Sequence, residues 1–380
     1  MSAMTLKSFL VLEVLVVLIN ASEPASNTPP VANGSPPANG PPAAGFIPAD
    51  KYPNAKRDES VEDTYPGNLK VKDPYRWLED SKNPDTRKFI EDQMAITKPY
   101  LESCPIRAEL QARYKELYDY PKYSGPIERG KYFFTFRNTG LQNQAVLYKS
   151  DSMKDEGKPF IDVNELSKDG TVTMGTYTFT DDGKLVAYLL GSTATEWKTV
   201  HFKDVEKGTD LPDKLEKVKY TELLWSMDSK GIFYAGYRDE NVKTDGSSTD
   251  PVKNQKLYYH LLGTEQKNDL VIAEFPDNPD YTLVASISDC RKYINIAVFD
   301  GFIKNLVYVA DISTGITAKP QLKPIVTKME NNYNYVANDG TRFMYHTNKD
   351  ADNYKLLVID IANPDPGSWK DLVAEDEKNN

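Results

Sequence analysis

The residue types that could carry out catalysis are few in this chain and lie far apart along it. Its 380 residues include three histidines, His201, His260 and His346. A serine hydrolase needs a nucleophile on a sharp strand-to-helix turn, commonly within Gly-x-Ser-x-Gly, together with a histidine base and an acid. That motif does not occur, and the nearest Gly-Ser pairs are Gly191-Ser192 and Gly246-Ser247. We therefore predict that the chain contains no catalytic residue.

The histidines and cysteines also argue against a metal site. His201 and His260 fall in predicted strands, where a packed imidazole is the ordinary interpretation. The two cysteines, Cys104 and Cys290, are too few for a disulfide scaffold, and no Cys-x-x-Cys motif or His/Cys cluster occurs. A single disulfide remains an alternative in an oxidising compartment, but we expect two unpaired thiols in the core. We predict no metal ion and no cofactor.

The composition indicates an acidic, strand-rich protein. The net charge is -10, whereas a nucleic-acid-binding protein needs a basic face. Aromatic residues make up 11% of the chain, with 24 tyrosines among them, and rings pack well on pleated surfaces. We expect neither nucleic acid nor a membrane as a partner.

The first fifty residues predict targeting and then disorder. Residues 1–21 combine Lys7 with an apolar run from Phe9 to Ile19, which is too short to span a membrane but suits a cleaved secretory signal. Residues 22–49 are rich in Pro, Ala, Ser, Asn and Gly and predict a disordered linker. The sequon Asn33-Gly34-Ser35 is followed by proline, so we expect it to stay unmodified. Secretion is the prediction, with a cytoplasmic protein as the alternative.

A short helical segment is predicted within residues 50–120. Asn83-Pro84-Asp85 is a typical helix start, and Pro99 is predicted to break that helix. A second helix is predicted over 106–118, with three apolar residues on one face, Leu110, Tyr114 and Leu117. Two such helices cannot form a core alone, so they must pack on something else.

The rest of the chain, 121–380, is predicted to be built from a β-rich repeat. Five similar strands recur at steps of 55, 57, 49 and 50 residues, measured between Leu147, Phe202, Tyr259, Tyr308 and Val358. Hairpins with Asp-Gly or related turns precede the last four, as in 177–188. One four-stranded sheet per repeat of this length is typical of a β-propeller blade. The fold class is therefore predicted as mainly β, with a two-sheet sandwich as the alternative.

Several stretches resemble the prolyl oligopeptidase family of serine peptidases. They are Asp73-Pro74-Tyr75-Arg76-Trp77-Leu78-Glu79-Asp80, Asn138-Thr139-Gly140-Leu141-Gln142-Asn143-Gln144, Ser167-Lys168-Asp169-Gly170-Thr171 and Lys256-Leu257-Tyr258-Tyr259-His260-Leu261-Leu262-Gly263-Thr264. The resemblance runs from about Tyr52 to Glu377. It implies a seven-bladed propeller, with the segment 50–120 packed on a hydrolase domain that cleaves after proline through a Ser-Asp-His triad.

The resemblance also implies what the chain would do. The propeller admits short proline-containing peptides and excludes folded proteins, in an enzyme that is a monomer. The triad lies beyond the region of resemblance, so we expect the chain to be inactive alone. Residues 369–377 resemble a point about one blade short of closure. The competing hypothesis is a secreted, inactive propeller that binds peptides or proteins; a sugar-binding lectin would not carry the motifs at 73–80 and 138–144.

Two positions are implied to contact substrate. Phe179 matches a family aromatic on the propeller wall, and Ile232 stands where relatives carry methionine. The alternative interpretation is that both side chains belong to blade cores, because both lie in alternating strands.

Overall fold

A computed structural model describes residues 47–193, 195–239, 242–246 and 251–376. The predicted signal, 1–21, and nearly all of the predicted linker, 22–49, lie outside these residues. Within the described part of the chain, no helix is both long enough and apolar enough to cross a membrane.

The N-terminal segment contains a hairpin and two helices. Its elements are β1 (Glu62–Tyr65), β2 (Leu69–Lys72), α1 (Pro84–Glu102) and α2 (Arg107–Tyr118), with single 3-10 turns at Ala49–Lys51 and Arg76–Glu79. Helix α1 begins as predicted, because the Asn83 side chain accepts a hydrogen bond from the Asp85 backbone N at 2.8 Å and Pro84 occupies the first turn.

Helix α1 does not end at Pro99, contrary to the prediction. It continues to Glu102, and the Ser103 backbone N donates to the Pro99 carbonyl at 2.9 Å. Proline removes the donor to the carbonyl four residues earlier, which belongs to Ala95. Ala95 is exposed, so water can satisfy that carbonyl, and a proline in the last turn is tolerated.

The remainder forms five blades, each an antiparallel meander of four successive strand positions. Blade 1 contains β3 (Lys122–Tyr123) and β4 (Ile127–Arg129), both paired with β5 (Tyr132–Asn138), then β6 (Val146–Ser150) and β7 (Lys158–Ile161). Blade 2 contains β8 (Val172–Phe179), β9 (Leu185–Ser192), β10 (Lys198–Asp204) and β11 (Asp210–Val218). Blade 3 contains β12 (Leu224–Trp225), β13 (Gly231–Gly236), β14 (Lys256–Leu261) and β15 (Leu270–Ala273).

The last two described blades repeat the same order. Blade 4 contains β16 (Thr282–Ile287), β17 (Tyr293–Asp300), β18 (Lys304–Asp311) and β19 (Lys323–Val326), and blade 5 contains β20 (Tyr333–Asp339), β21 (Arg342–Thr347), β22 (Lys355–Asp360) and β23 (Lys370–Val373). Every strand used to measure the repeat is the third strand of its blade. Single 3-10 turns occur at Val163–Glu165, Gln266–Asn268 and Pro366–Ser368.

The propeller prediction is confirmed by the arrangement of the blades. The first strands of successive blades are neighbours, since β12 contacts both β8 and β16. One residue pair, Val218 with Gly236, joins blades 2 and 3 into a continuous sheet. The described residues form five blades. The seven-bladed ring, and an end about one blade short of its closure, stay predictions from the resemblance.

The core lies between blades. All six residues of β13 are buried, because one face of this strand packs on blade 2 and the other on blade 4. A strand that is buried on both faces reads as a continuous apolar run, which is the pattern seen along Ile232-Phe233-Tyr234-Ala235. Stacked sheets of this kind stabilise each other by apolar burial, so a blade depends on its neighbours.

The two cysteines are free, as predicted, but neither is in the core. Cys104 is exposed in the connection between α1 and α2, and Cys290 is half-buried in the turn between β16 and β17. The prediction failed because cysteine is buried on average, whereas these two positions are connections.

Candidate functional site

The meander gives the propeller two faces. The turn between the first and second strands lies on one face, and the turn between the second and third strands lies on the other. The N-terminal segment contacts the second of these, because Lys82 forms an ion pair with Asp245 in the connection between β13 and β14. We call this the segment face and the opposite one the distal face.

Large apolar side chains stand exposed on the segment face. Phe302, at the tip of the β17–β18 turn, is 97% exposed, and its neighbour Ile303 is also exposed. Tyr220, in the connection from blade 2 to blade 3, is 56% exposed. Aromatic side chains in such positions are candidates for contact with a ligand or a partner.

Tyr220 is held in an unusual backbone conformation. Its φ is +53°, in the left-handed region that is unfavourable for a residue with a Cβ atom. The buried side chain of Gln255 fixes this geometry, since its Nε2 donates to the carbonyls of Lys219 and Tyr220, both at 3.1 Å. The Leu283 backbone N in turn donates to Gln255 Oε1 at 2.6 Å. The position of Tyr220 is therefore set by blades 3 and 4.

An anionic group lies beside this tyrosine. The Tyr220 hydroxyl donates to the Glu196 carboxylate, and the Lys219 Nζ lies 2.8 Å from the same carboxylate. Hydrogen bonds from Lys219 and Tyr220 lower the pKa of Glu196. Glu196 therefore stays ionised at neutral pH, next to an exposed ring.

The two predicted contact residues lie in separate interblade clusters. Phe179, at the end of β8, is 8% exposed and packs on Phe134 with ring centroids 4.5 Å apart. Ile232 is 0% exposed and pairs with Trp225 and His260 on adjacent strands. A peptide could touch Ile232 only if this cluster opened. Substrate contact by Phe179 and by Ile232 stays a prediction.

The histidines have the surroundings of packed and ion-paired rings. His201 stacks on Tyr188 and His346 on Tyr354, with centroids 5.7 Å and 4.6 Å apart. His260 lies between two carboxylates. In the described ranges, no group of three or more His, Cys, Asp or Glu side chains could hold a metal ion.

The Gly-Ser pairs give no catalytic turn. Gly191 and Ser192 are the last two residues of strand β9, because the pairing of β8 with β9 extends to Val172 and Ser192. Ser247 and Ser248 lie outside the described residues. Ser192 is therefore not on the strand-to-helix turn that an activated serine requires.

The distal face is held together by contacts between turns. Asp181 of blade 2 pairs with Arg291 of blade 4, and the Asp289 backbone N donates to Asn338 Oδ1 of blade 5 at 2.9 Å. Hydrogen bonds from Lys184 and Thr180 lower the pKa of Asp182, in the blade 2 turn, to about 2. These contacts are structural links between blades.

The exposed side chains of the segment face are the functional candidates that the sequence analysis missed. The available signal was the tripeptide Gly301-Phe302-Ile303 between two predicted strands, because tight turns usually carry polar residues. Tyr220 gave no such signal, since its left-handed backbone depends on Gln255, which is distant in sequence.

The region that matches known proteins contains both helices and all five blades. Residues 53–380 match the N-terminal β-propeller domain of prolyl oligopeptidase. Prolyl endopeptidase from Elizabethkingia miricola is 32% identical over 326 residues, which are 86% of this chain and 45% of that protein. Prolyl oligopeptidase A from Amanita bisporigera is 33% identical over 359 residues, covering 86% of this chain and 46% of that one.

Solved structures agree with this match. Prolyl oligopeptidase B from Galerina marginata with a bound 35mer substrate superposes with a TM-score of 0.75 at 27% identity, covering 86% of this chain and 48% of that chain. Its apo form gives a TM-score of 0.61. The chain spans about half the length of the curated relatives that it matches. The chain therefore belongs to the prolyl oligopeptidase family, of which it carries the N-terminal β-propeller domain.

Proposed function

We propose that this chain is the propeller part of a serine endopeptidase that hydrolyses short peptides after proline. The observation that carries the proposal is the match of residues 53–380 to the family's propeller, together with relatives that are prolyl endopeptidases. The hydrolytic residues would lie outside the 380 residues, since the Gly-x-Ser-x-Gly motif does not occur in them. Export from the cell is part of the proposal and rests on residues 1–21 alone.

The helices of the N-terminal segment support a second domain at this position. Helix α2 has no buried residue, and its apolar side chains Leu110, Tyr114 and Leu117 are all exposed. On α1, Ile90 and Met94 are exposed as well. Several large apolar side chains exposed on neighbouring helical turns are typical of an interface. A hydrolase domain packed on it, as the family resemblance implies, would remove these side chains from water.

The exposed rings of the segment face support a peptide-binding site there. Tyr220 and Phe302 present rings on the side of the propeller where the N-terminal segment lies. Proline-rich peptides dock well on aromatic surfaces, because their extended conformation is already formed before binding. A peptide at this face would be held between the propeller and the proposed hydrolase domain.

The proposal is tested by the exclusion of folded substrates. The natural protein, captured with an antibody against the exposed loop 151–157, is expected to cleave a short Gly-Pro reporter peptide. It is expected not to cleave the same sequence displayed within a folded carrier domain, because a folded domain cannot pass between the propeller and the hydrolase. Release of the fragment is followed by mass spectrometry.

Two controls make the result decisive. The recombinant chain 1–380 is expected to cleave neither substrate, and inhibitor-sensitive turnover by it would disprove the absence of a triad. The same sequence, released from the carrier domain as a short peptide by prior digestion, should be cleaved. Equal cleavage of the short and the folded substrate would refute the filter.

A further inference from the structure

One histidine is buried between two carboxylates that belong to different blades. His260 on β14 is 1% exposed. Its Nδ1 lies 2.7 Å from Asp269 Oδ1 in blade 3, and its Nε2 lies 3.2 Å from Asp213 Oδ1 on β11 of blade 2. Both carboxylates are buried as well. The imidazole therefore connects the outer strand of one blade to the next blade.

Strands β10, β11, β13 and β14 and the connections beside them supply the other groups around His260. The Tyr234 hydroxyl donates to Asp269 Oδ2 at 2.6 Å, and the Arg238 guanidinium lies 3.8 Å from the same oxygen. The Gly263 backbone N donates to Asp213 Oδ1 at 2.6 Å. Two rings also pack here, since Phe202 stacks on His260 and Tyr258 lies under Arg238.

With both aspartates as carboxylates, this arrangement favours a positively charged ring. A neutral imidazole has one N–H donor and one lone pair, so one of its nitrogens would face a carboxylate without a proton between them. Doubly protonated His260 donates to both carboxylates. Its charge together with that of Arg238 then balances Asp213 and Asp269, whereas a neutral ring leaves an uncompensated buried negative charge.

Apolar packing joins these two blades, since Leu215 and Val218 of β11 lie in one cluster with Ile232 and Tyr234 of β13, and polar contacts add to it. The ladder between β11 and β13 consists of the single pair Val218 with Gly236. The Gln266 side chain adds a reciprocal contact to the Glu216 backbone, accepting from its N at 3.1 Å and donating to its O at 3.0 Å. The ionic contact of His260 is thus one of several polar links across this junction, and the one that an imidazole makes.

We propose that Asp213, His260 and Asp269 form a protonation-dependent clamp between the second and third blades. The clamp closes when His260 is doubly protonated and loosens when the ring loses a proton. This proposal is independent of the peptidase assignment, because every group in it belongs to the chain itself.

The direction of the pH dependence follows from the surroundings of the ring. Burial opposes the charged form, but hydrogen bonds and negative charge from Asp269, and then from Asp213, outweigh it and raise the pKa of His260. A raised folded-state pKa gives stability that is fully present below the unfolded value of about 6.5. That stability is lost as the pH rises through the raised value. Alkaline conditions should therefore weaken the junction.

The direct test is the protonation state of the ring. Because the chain has only three histidines, ¹⁵N-histidine labelling gives the nitrogen signals of three rings. These signals are assigned with His201→Gln and His346→Gln. Burial lowers the pKa of His201 and His346, so both should be neutral at pH 7.5. His260 should remain protonated on both nitrogens at that pH. A His260 ring that titrates at or below pH 6.5 would overturn the proposal.

The consequence for stability is tested by urea unfolding of the chain between pH 6 and pH 9. The unfolding equilibrium should shift towards the unfolded state by up to about tenfold for each unit by which the pKa of His260 exceeds 6.5. His260→Gln should abolish this component, while His201→Gln retains it. Equal pH dependence in the wild-type chain and His260→Gln would refute the clamp. If His260→Gln does not fold, the ring signals of the wild-type chain decide.

Discussion

Replacing Gly183 with alanine is expected to destabilise the chain by about 3 kcal/mol. Gly183 lies in the turn between β8 and β9 with a φ of +69°, a conformation that alanine adopts at a cost. A Cβ atom there would lie 2.5 Å from the Gly130 backbone N and 2.6 Å from the Arg129 carbonyl carbon. Both atoms are main chain of blade 1, so they cannot rotate away. The blade 1 and blade 2 turns would have to separate.

Gly340 provides the matched control. It lies in the corresponding turn of blade 5 with a φ of +58°, but nothing lies within 4 Å of its Cβ position. Gly340→Ala should therefore cost only the conformational part, about 1 kcal/mol. Free energies of unfolding from urea titrations followed by circular dichroism give both values. Equal losses for the two variants would mean that the contact between the blade 1 and blade 2 turns is not formed.

Replacing Trp225 with alanine is expected to destabilise the chain by about 3–5 kcal/mol. Trp225 on β12 is 3% exposed and packs edge-on against Phe202 of blade 2. Its Nε1 also donates to the Thr178 carbonyl at 3.1 Å, across the junction between blades 2 and 3. Alanine removes the ring and leaves a cavity between two sheets. The substitution therefore weakens one blade and its attachment to the next.

The variant Trp225→Phe separates the two contributions. Phenylalanine keeps most of the ring but removes the N–H donor, which leaves the Thr178 carbonyl unpaired at a cost of about 1–3 kcal/mol. Circular dichroism should be used for detection, because tryptophan fluorescence changes with the substitution itself. A loss below about 1 kcal/mol for Trp225→Ala would contradict the packing of blades 2 and 3 that we describe.

Much of the propeller was predictable because its signals are local. Turn residues such as Asp182-Gly183 and Asp339-Gly340 lie between apolar runs, and the third strand of each blade repeats an apolar pattern. These features depend on backbone preferences and on side-chain alternation within about ten residues. The capped start of α1 at Asn83 was predictable for the same reason, since the cap and its partner are two residues apart.

The rest depends on contacts between blades, which no local pattern contains. The two carboxylates that hold His260 come from positions 47 and 9 residues away. The conformation of Tyr220 is fixed by Gln255 in another blade, 35 residues along the chain. The positions of the cysteines depended on which connections reach the surface.

In the candidate site, too, some features follow from the sequence and others only from contacts between blades. The resemblance supplied the family, whereas alternation along β8 could not distinguish a ring that lines an opening from a ring that fills a cluster. The structure places Phe179 against Phe134, and it exposes Phe302 at the tip of the β17–β18 turn. Whether a side chain is exposed between packed sheets is decided by the neighbouring blade.

The most direct test of the proposed function is the mass of the natural polypeptide that contains this propeller and reacts with a serine-directed phosphonate probe. Extracts are treated with the probe, separated by mass, and stained with an antibody against residues 256–264. Our account predicts a labelled species well above 42.9 kDa, the mass of the chain described here. An unlabelled species at or just below 42.9 kDa would contradict it and would leave a propeller whose role is binding.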